Sequence, residues 1–441
     1  MTSASVDRPA RRNPLPEGTI PVAAGLLVAG AAAYVFLKIA GGALDDKADE
    51  KALTQLWFIT FFLAPGFFLP LEQEVGRALS HRLARGQGGL PVVRRSAVLG
   101  GSGVLALLLV VFALSPLLVT KQFNDSWLLL VGLILSVVGW STAHLGRGVL
   151  SGSGRFASYG MVFSVDGGIR VLLAVTAAAL GVDLVGVFGL LIGLPPMLAL
   201  AVAARRERGL LFDGPEAPWS EVTSNLGWLL LGSVASAFLV NAGPLAANAL
   251  SSKSQAELVA DFAYLVLVCR IPLFLFQAVQ AALLPKLARL ASLGAMDEFR
   301  AGFRLLILLV AGVGALGVVA TPVVGPIGLR FFTEGTFETR DYLLLSAAAG
   351  LYMVTMAFAQ AVIALHGHAL VGAGWLIALV AFGVGLFAAD DLLLRVELAL
   401  CCGAAAAAVV FAVALRTRLA SGAQPDAASI YEATHDLPLE P

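Results

Sequence analysis

Charge is scarce in this chain. Of its 441 residues only 13% are Asp, Glu, Lys or Arg, about half of the ~25% usual in soluble proteins. The 29 basic and 29 acidic side chains cancel, which excludes the cationic surface that nucleic-acid binding requires. Cysteine is confined to Cys269, Cys401 and Cys402, each inside an apolar run, so no disulfide framework is implied. No Walker A sequence, glycine-rich nucleotide loop or metalloprotease signature occurs, and ATP-driven work would need a partner. The pair His366 and His368 closes an apolar run and reads as a solvated helix end rather than a metal site. No loop is large enough for a catalytic domain.

What the chain has instead is apolar length. Hydrophobic residues make up 59% of it, and the mean hydropathy is +0.88, more than one water-soluble core can hide. A bilayer core of ~30 Å needs about 20 apolar residues per helix. Twelve segments meet that: 20–40, 53–79, 97–119, 127–149, 160–181, 183–204, 221–250, 257–284, 303–329, 341–365, 369–389 and 392–415. The expected class is an all-α polytopic membrane protein. Arg11 and Arg12 precede Asn-Pro-Leu-Pro rather than an apolar run, which argues against a twin-arginine signal. The run from Ile20 to Leu44 is long enough to span, which argues against a cleavable leader.

Loop charge sets the expected orientation. With the N-terminus inside, nineteen Lys and Arg fall in inner segments and seven in outer ones, while Lys38, Arg170 and Arg270 lie within spans. Both termini are therefore expected to be cytosolic, and the multi-pass protein to sit in the plasma membrane. The expected organisation is a tail 1–17, a six-helix lobe 18–204, a linker 205–220, a second lobe 221–415 and a disordered tail 416–441. A weak repeat supports two lobes. Shifting by 207 superposes Pro65, Phe67, Gln73 and Arg82 on Pro272, Phe274, Gln280 and Arg289, and Thr142 and Gly154 match Thr355 and Gly367 at a shift of 213. Six helices per repeat puts the pseudo-twofold along the membrane normal.

Several stretches carry a family likeness. They are Phe68-Leu-Pro-Leu-Glu-Gln-Glu-Val-Gly-Arg77, Leu145-Gly-Arg-Gly-Val-Leu-Ser-Gly-Ser-Gly-Arg-Phe-Ala-Ser-Tyr-Gly160, and Trp219–Leu250 with Asn241-Ala-Gly-Pro-Leu245. The chain resembles the multidrug/oligosaccharidyl-lipid/polysaccharide (MOP) exporter superfamily in its bacterial polysaccharide-export branch, the Wzx-like lipid-linked oligosaccharide flippases. The resemblance implies two lobes around a cavity that opens alternately to either side. It also implies a substrate, a glycan on a polyprenyl diphosphate turned from the inner to the outer leaflet for surface polysaccharide biosynthesis. The drug-exporting branch depends on an embedded acid in an early helix, and the first span has none.

Charges at bilayer depth are functional candidates because they are costly there. Arg170 and Arg270 fall near the midplane and are read as facing the cavity and holding the diphosphate. Asp166, one turn before Arg170, is an alternative partner for it, as Glu397 is for Arg270. Tyr34, Gln73, Asn241 and Gln280 complete the expected cavity, with Lys38 read as snorkelling. Glu72, Glu74, Arg77, Arg147 and Arg155 form either a cytosolic gate of ion pairs or an ordinary charged helix end. Asp166 and Asp261 are the acids available for proton or sodium coupling; no other cofactor and no metal is expected. The anticipated partners are the lipid-linked glycan, membrane lipids and a glycan-polymerising machinery. Beside the flippase stand a cation-coupled multidrug exporter of the same superfamily, a membrane enzyme such as a glycan polymerase, and a scaffold of cell-wall synthesis. The absence of a catalytic loop argues against an enzyme.

Overall fold

The computed structural model describes residues 19–207, 209–223, 226–273, 276, 290–291, 294–365 and 367–420. They are helical throughout, with no strand among them. In chain order the helices are α1 (Thr19–Ala43), α2 (Lys47–Ala84), α3 (Leu90–Ala113), α4 (Ser115–Lys121), α5 (Trp127–Gly152), α6 (Phe156–Ala179) and α7 (Val185–Arg206). A short α8 (Ser220–Thr223) leads into α9 (Leu226–Leu250) and α10 (Ala256–Cys269). Then come α11 (Met296–Leu329), α12 (Thr339–Ala364), α13 (His368–Gly385) and α14 (Leu392–Ala420). Among the described residues eleven helices are long and apolar enough to cross a membrane, so this is a multi-pass membrane protein. Of the segment expected at 257–284, α10 and the residues up to 273, with 276, are described; 274–275 and 277–284, with Gln280, lie outside the described residues.

Local chemistry sets the helix ends. Asp46 caps α2 by accepting the Ala48 N–H at 2.8 Å, and Asp49 and Glu50 fill its first turn, where the helix dipole favours acids. The expected span 97–119 is two helices. The break falls at Leu114 because Pro116 has no N–H to donate and disfavours the helical conformation of the residue before it. At 38 residues α2 is roughly 57 Å long at 1.5 Å per residue, so it runs beyond a ~30 Å bilayer core.

Packing sorts the helices into two groups. In the first, α1 lies on α6, α2 on α5, and α7 on α5 and α6. In the second, α11 lies on α12, and α14 joins α12, α13 and α9. The groups meet mainly where α9 and α10 run along α2. The rest of the surface is apolar, with Phe112, Val319 and Phe387 more than 70% exposed, as a lipid-facing surface requires. Small residues bring helices close where side chains would hold them apart. A Cβ on Gly148 would stand 2.8 Å from the Glu72 carbonyl, and one on Gly152 would stand 2.7 Å from that of Gly76.

The 205–220 segment is folded onto the first group. Arg82, 4% exposed, donates from Nε (2.7 Å) and Nη2 (2.9 Å) to the two oxygens of Glu221 and from Nη1 (2.7 Å) to the Pro215 carbonyl. The Leu90 N–H donates to the Phe212 carbonyl at 3.2 Å. Arg95 pairs with Glu216 at 2.6 Å and lies over the Trp219 ring at 4.7 Å.

Candidate functional site

Close approach of α5 and α6 to α2 places a buried carboxylate within reach of Arg147, His144 and Tyr159. Glu72 Oε2 accepts from Arg147 Nη2 (2.8 Å) and lies 2.7 Å from His144 Nδ1, and Glu72 Oε1 accepts from the Tyr159 hydroxyl at 2.6 Å. Glu72, His144 and Arg147 are each no more than 4% exposed. His144 Nδ1 also lies 2.8 Å from Arg147 Nη2, and together the contacts of this cluster brace α2, α5 and α6. All of its members belong to the first helix group. Glu74 pairs one turn along with Arg77 at 2.7 Å, and Arg77 also donates to the Glu221 carbonyl at 2.8 Å. Arg155 does not join Glu72; it pairs with Glu207 at 3.5 Å.

Arg170 is also internal to the first group. It is 2% exposed and donates from Nη2 to both Asp166 oxygens at 2.8 and 3.1 Å. Its Nε donates to the Leu191 carbonyl at 3.3 Å, and the guanidinium lies 5.6 Å from the Trp57 ring and 5.9 Å from the Trp140 ring. The one-turn spacing of the pair in the sequence thus becomes an intrahelical ion pair, and both charges are compensated where they stand.

Arg270 has a different setting. It ends α10 and lines a narrow cleft whose other walls are Leu239 and Val240 of α9, Val266, Leu345, Ala349 and Tyr352, and Leu400 and Ala404 of α14. Its guanidinium rests 5.7 Å from the Phe58 ring, with Tyr352, Tyr34 and Cys269 as its electrostatic neighbours. Glu397 is not one of these neighbours. No carboxylate of the described residues pairs with it, and the walls are otherwise apolar apart from the Tyr352 hydroxyl. A planar cation with several free donors in an apolar wall is suited to bind an anion.

The remaining expected residues occupy separate places. Gln73 lines a second cleft between α2, α9, α12 and α13, which also holds Ser233, Ser236, Gln360 and Trp375. Asn241 donates to the Phe61 carbonyl at 3.1 Å and the Ala237 carbonyl at 2.8 Å, joining α9 to α2. Tyr34 donates to the Leu267 carbonyl at 2.7 Å, one turn from Lys38, which lies 5.6 Å from the Phe331 ring. Asp261 accepts from the Thr333 hydroxyl at 2.6 Å. Further contacts between the two groups at this end are those of Asn248 with Gln122 and of Tyr264 with Glu50.

His144 and Tyr159 belong to the Glu72 cluster and are not among the residues expected from the sequence. His144 shares a face with Arg147 three residues on, a usable signal. Tyr159 reaches its partner from another helix, and nothing in the local pattern announces that.

This arrangement has known counterparts. The chain superposes on a variant of the Vibrio cholerae MATE transporter VcmN with a TM-score of 0.68, at 16% identity over 92% of this chain and 96% of that one. It superposes on a MOP superfamily transporter from Pyrococcus furiosus with a TM-score of 0.70, at 15% identity over 92% and 96%. The fold is therefore that of the MATE transporters of the MOP superfamily. In sequence it is 29% identical over 340 residues to an uncharacterised protein of Mycobacterium tuberculosis, covering 73% of this chain and 75% of that one. No family model matches.

Proposed function

We propose that the protein is an alternating-access flippase that carries a polyprenyl-diphosphate-linked glycan from the inner to the outer leaflet, in the Wzx-like manner. The observation that carries this reading is Arg270, a cation without a carboxylate partner among the described residues, set in the wall of an apolar cleft. An apolar cleft with one cation suits an anionic headgroup on a lipid; it repels the cationic amphiphiles that drug exporters move. The Pyrococcus furiosus transporter is described as having a binding pocket of reverse polarity that suggests a different function, which gives the reading a parallel within the same fold.

In this reading the chain has twelve spans in two six-helix repeats, 18–204 and 221–415, with both termini cytosolic in the plasma membrane. It works as a transporter and not as an enzyme. Arg270 holds the diphosphate with Tyr34 beside it, and Gln73 and Asn241 line the route between the helix groups. Glu74 and Arg77 form the cytosolic gate against the linker, with the Glu72–Arg147 brace and the Arg155–Glu207 pair stiffening the helices behind them. Arg170 holds Asp166 and shapes the first lobe, which leaves Asp261 as the freer of the two expected coupling acids for a proton or sodium ion. A glycan-polymerising machinery would take the product.

The second reading, a cation-coupled multidrug exporter, draws on the fold likeness to multidrug MATE transporters. Binding separates the two. Purified protein in detergent is titrated with a fluorescent polyprenyl diphosphate and, separately, with a cationic dye. The flippase reading expects diphosphate binding that is lost in Arg270→Ala; dye binding alone, unchanged by that substitution, supports the exporter.

A further inference from the structure

Glu397 lies in the second turn of α14 and is fully buried, at 0% exposure. No donor group of any described residue reaches either of its oxygens. An ionised carboxylate so placed has given up its hydration and received nothing in return, and such a group ordinarily holds a proton or a cation.

Its surroundings sharpen the choice. The charged groups acting on it are Asp341 and Arg340 at the start of α12 and Asp391 before α14. Cys269 of α10 and Cys401 of α14 are its other titratable neighbours. The other helices packed on α14 add nothing at this level: α9 carries no acid or base, and α13 has only His368 at its far end. Asp341 is 3% exposed and already satisfied, with Oδ1 accepting from Arg340 Nε at 3.1 Å and Nη2 at 3.0 Å and Oδ2 accepting from the Glu338 N–H at 2.9 Å. Arg340 therefore compensates one acid. A second buried acid faces the first with no cation of its own among the described residues. The buried carboxyl that lacks a cation is the one that keeps a proton, and Glu397 is that group.

We propose that Glu397 is a proton-binding site, its carboxyl group facing the Arg340-paired Asp341. Arg340, 40% exposed, forms its rim, so the proton exchanges with water at the end of the bundle that carries Lys47. The site is built into the walls of the Arg270 cleft. Asp341 stands one turn before Leu345 and Glu397 stands three residues before Leu400, and both leucines line that cleft. When the proton leaves to water, two like charges face each other across the α12–α14 contact and push apart two of the cleft walls. Coupling of the proton to anion binding rests on the reading of the Arg270 cleft given above; the proton site itself does not.

Infrared difference spectroscopy of the purified full-length protein, between acidic and alkaline buffers with and without sodium, tests the site without any substrate. The expected result is a protonated-carboxyl band that is lost in Glu397→Gln and shifted or lost in Asp341→Asn. Should Glu397→Gln fail to fold, Asp341→Asn still carries the test. Absence of the band, its persistence unchanged in the variants that fold, or a response to sodium at fixed pH would overturn the proposal. Polyprenyl-diphosphate binding at both pH values then tests the coupling. Wild-type binding should change with pH and Glu397→Gln binding should not; equal pH dependence in both removes the coupling. Wild-type protein that shows the band but binds no diphosphate refutes the proposed substrate and leaves the proton site standing.

Discussion

Arg170 and Arg270 rest on consecutive aromatic residues of α2: the first guanidinium lies 5.6 Å from the Trp57 ring and the second 5.7 Å from the Phe58 ring. The two arginines thus sit at one level of the bundle and approach the same turn of α2 from different helix groups. Their electrostatic situations are opposite. Arg170 is neutralised by Asp166, whereas Arg270 faces an apolar cleft. Of the two, only Arg270 has no carboxylate partner among the described residues.

Arg270→Ala is expected to weaken polyprenyl-diphosphate binding about 10- to 100-fold, the equivalent of losing one charge-assisted hydrogen bond of about 1.5–3 kcal/mol. Arg270→Lys should recover part of the affinity, because the charge remains and the planar fork of donors does not. Fluorescence titration against detergent-solubilised protein reads both values.

Arg170→Ala is expected to act on stability first. It leaves Asp166 buried without its cation, a change that typically costs about 3–5 kcal/mol. The double variant Arg170→Ala, Asp166→Ala should be more stable than Arg170→Ala alone, since no orphaned charge remains. Thermal unfolding followed by loss of monodisperse protein gives the order; a double variant less stable than both singles would contradict the pairing.

Glu72→Gln should destabilise the protein by a similar amount, about 3–5 kcal/mol, because Arg147 is then buried against a neutral amide. Tyr159 keeps its acceptor, so the fold should survive at low temperature. Diphosphate affinity in the surviving protein should match wild type, as the cluster is confined to α2, α5 and α6.

Contacts between the helix groups at the Lys47 end should break if the protein opens there during its cycle. Asn248 of α9 donates to the Gln122 side chain beside α4. Asn248→Cys with Gln122→Cys should form a disulfide under oxidation, arrest transport, and release it on reduction. Each single variant serves as the control for the native Cys269, Cys401 and Cys402. Full transport by the cross-linked protein would show that this end need not open.

Much of the fold is legible in the sequence because bilayer thickness imposes a length on every apolar run. The Leu114 break escapes a reading by length alone, although Pro116 announces it. The Asp166–Arg170 pair is legible because one helical turn separates its members, and so is the Glu74–Arg77 pair. Contacts between helices are harder to read. Arg147 does meet Glu72 as the sequence suggests, but Arg155 goes to Glu207, and Tyr159 arrives from α6 unannounced. The sequence offers Glu397 only as a partner for Arg270; its confrontation with Asp341 depends on how α12 and α14 pack, which no local pattern encodes.

The most direct measurement is transport in proteoliposomes under an imposed inside-negative potential, with a fluorescent polyprenyl-diphosphate sugar and a cationic dye offered in parallel. A diphosphate moving outward runs down that potential, at about 2.3 kcal/mol per charge per 100 mV. Potential-dependent movement of the diphosphate lipid, abolished in Arg270→Ala while that variant's stability is unchanged, is the expected result. Movement of the dye with no flipping of the lipid, or lipid flipping that persists undiminished in Arg270→Ala, would contradict it.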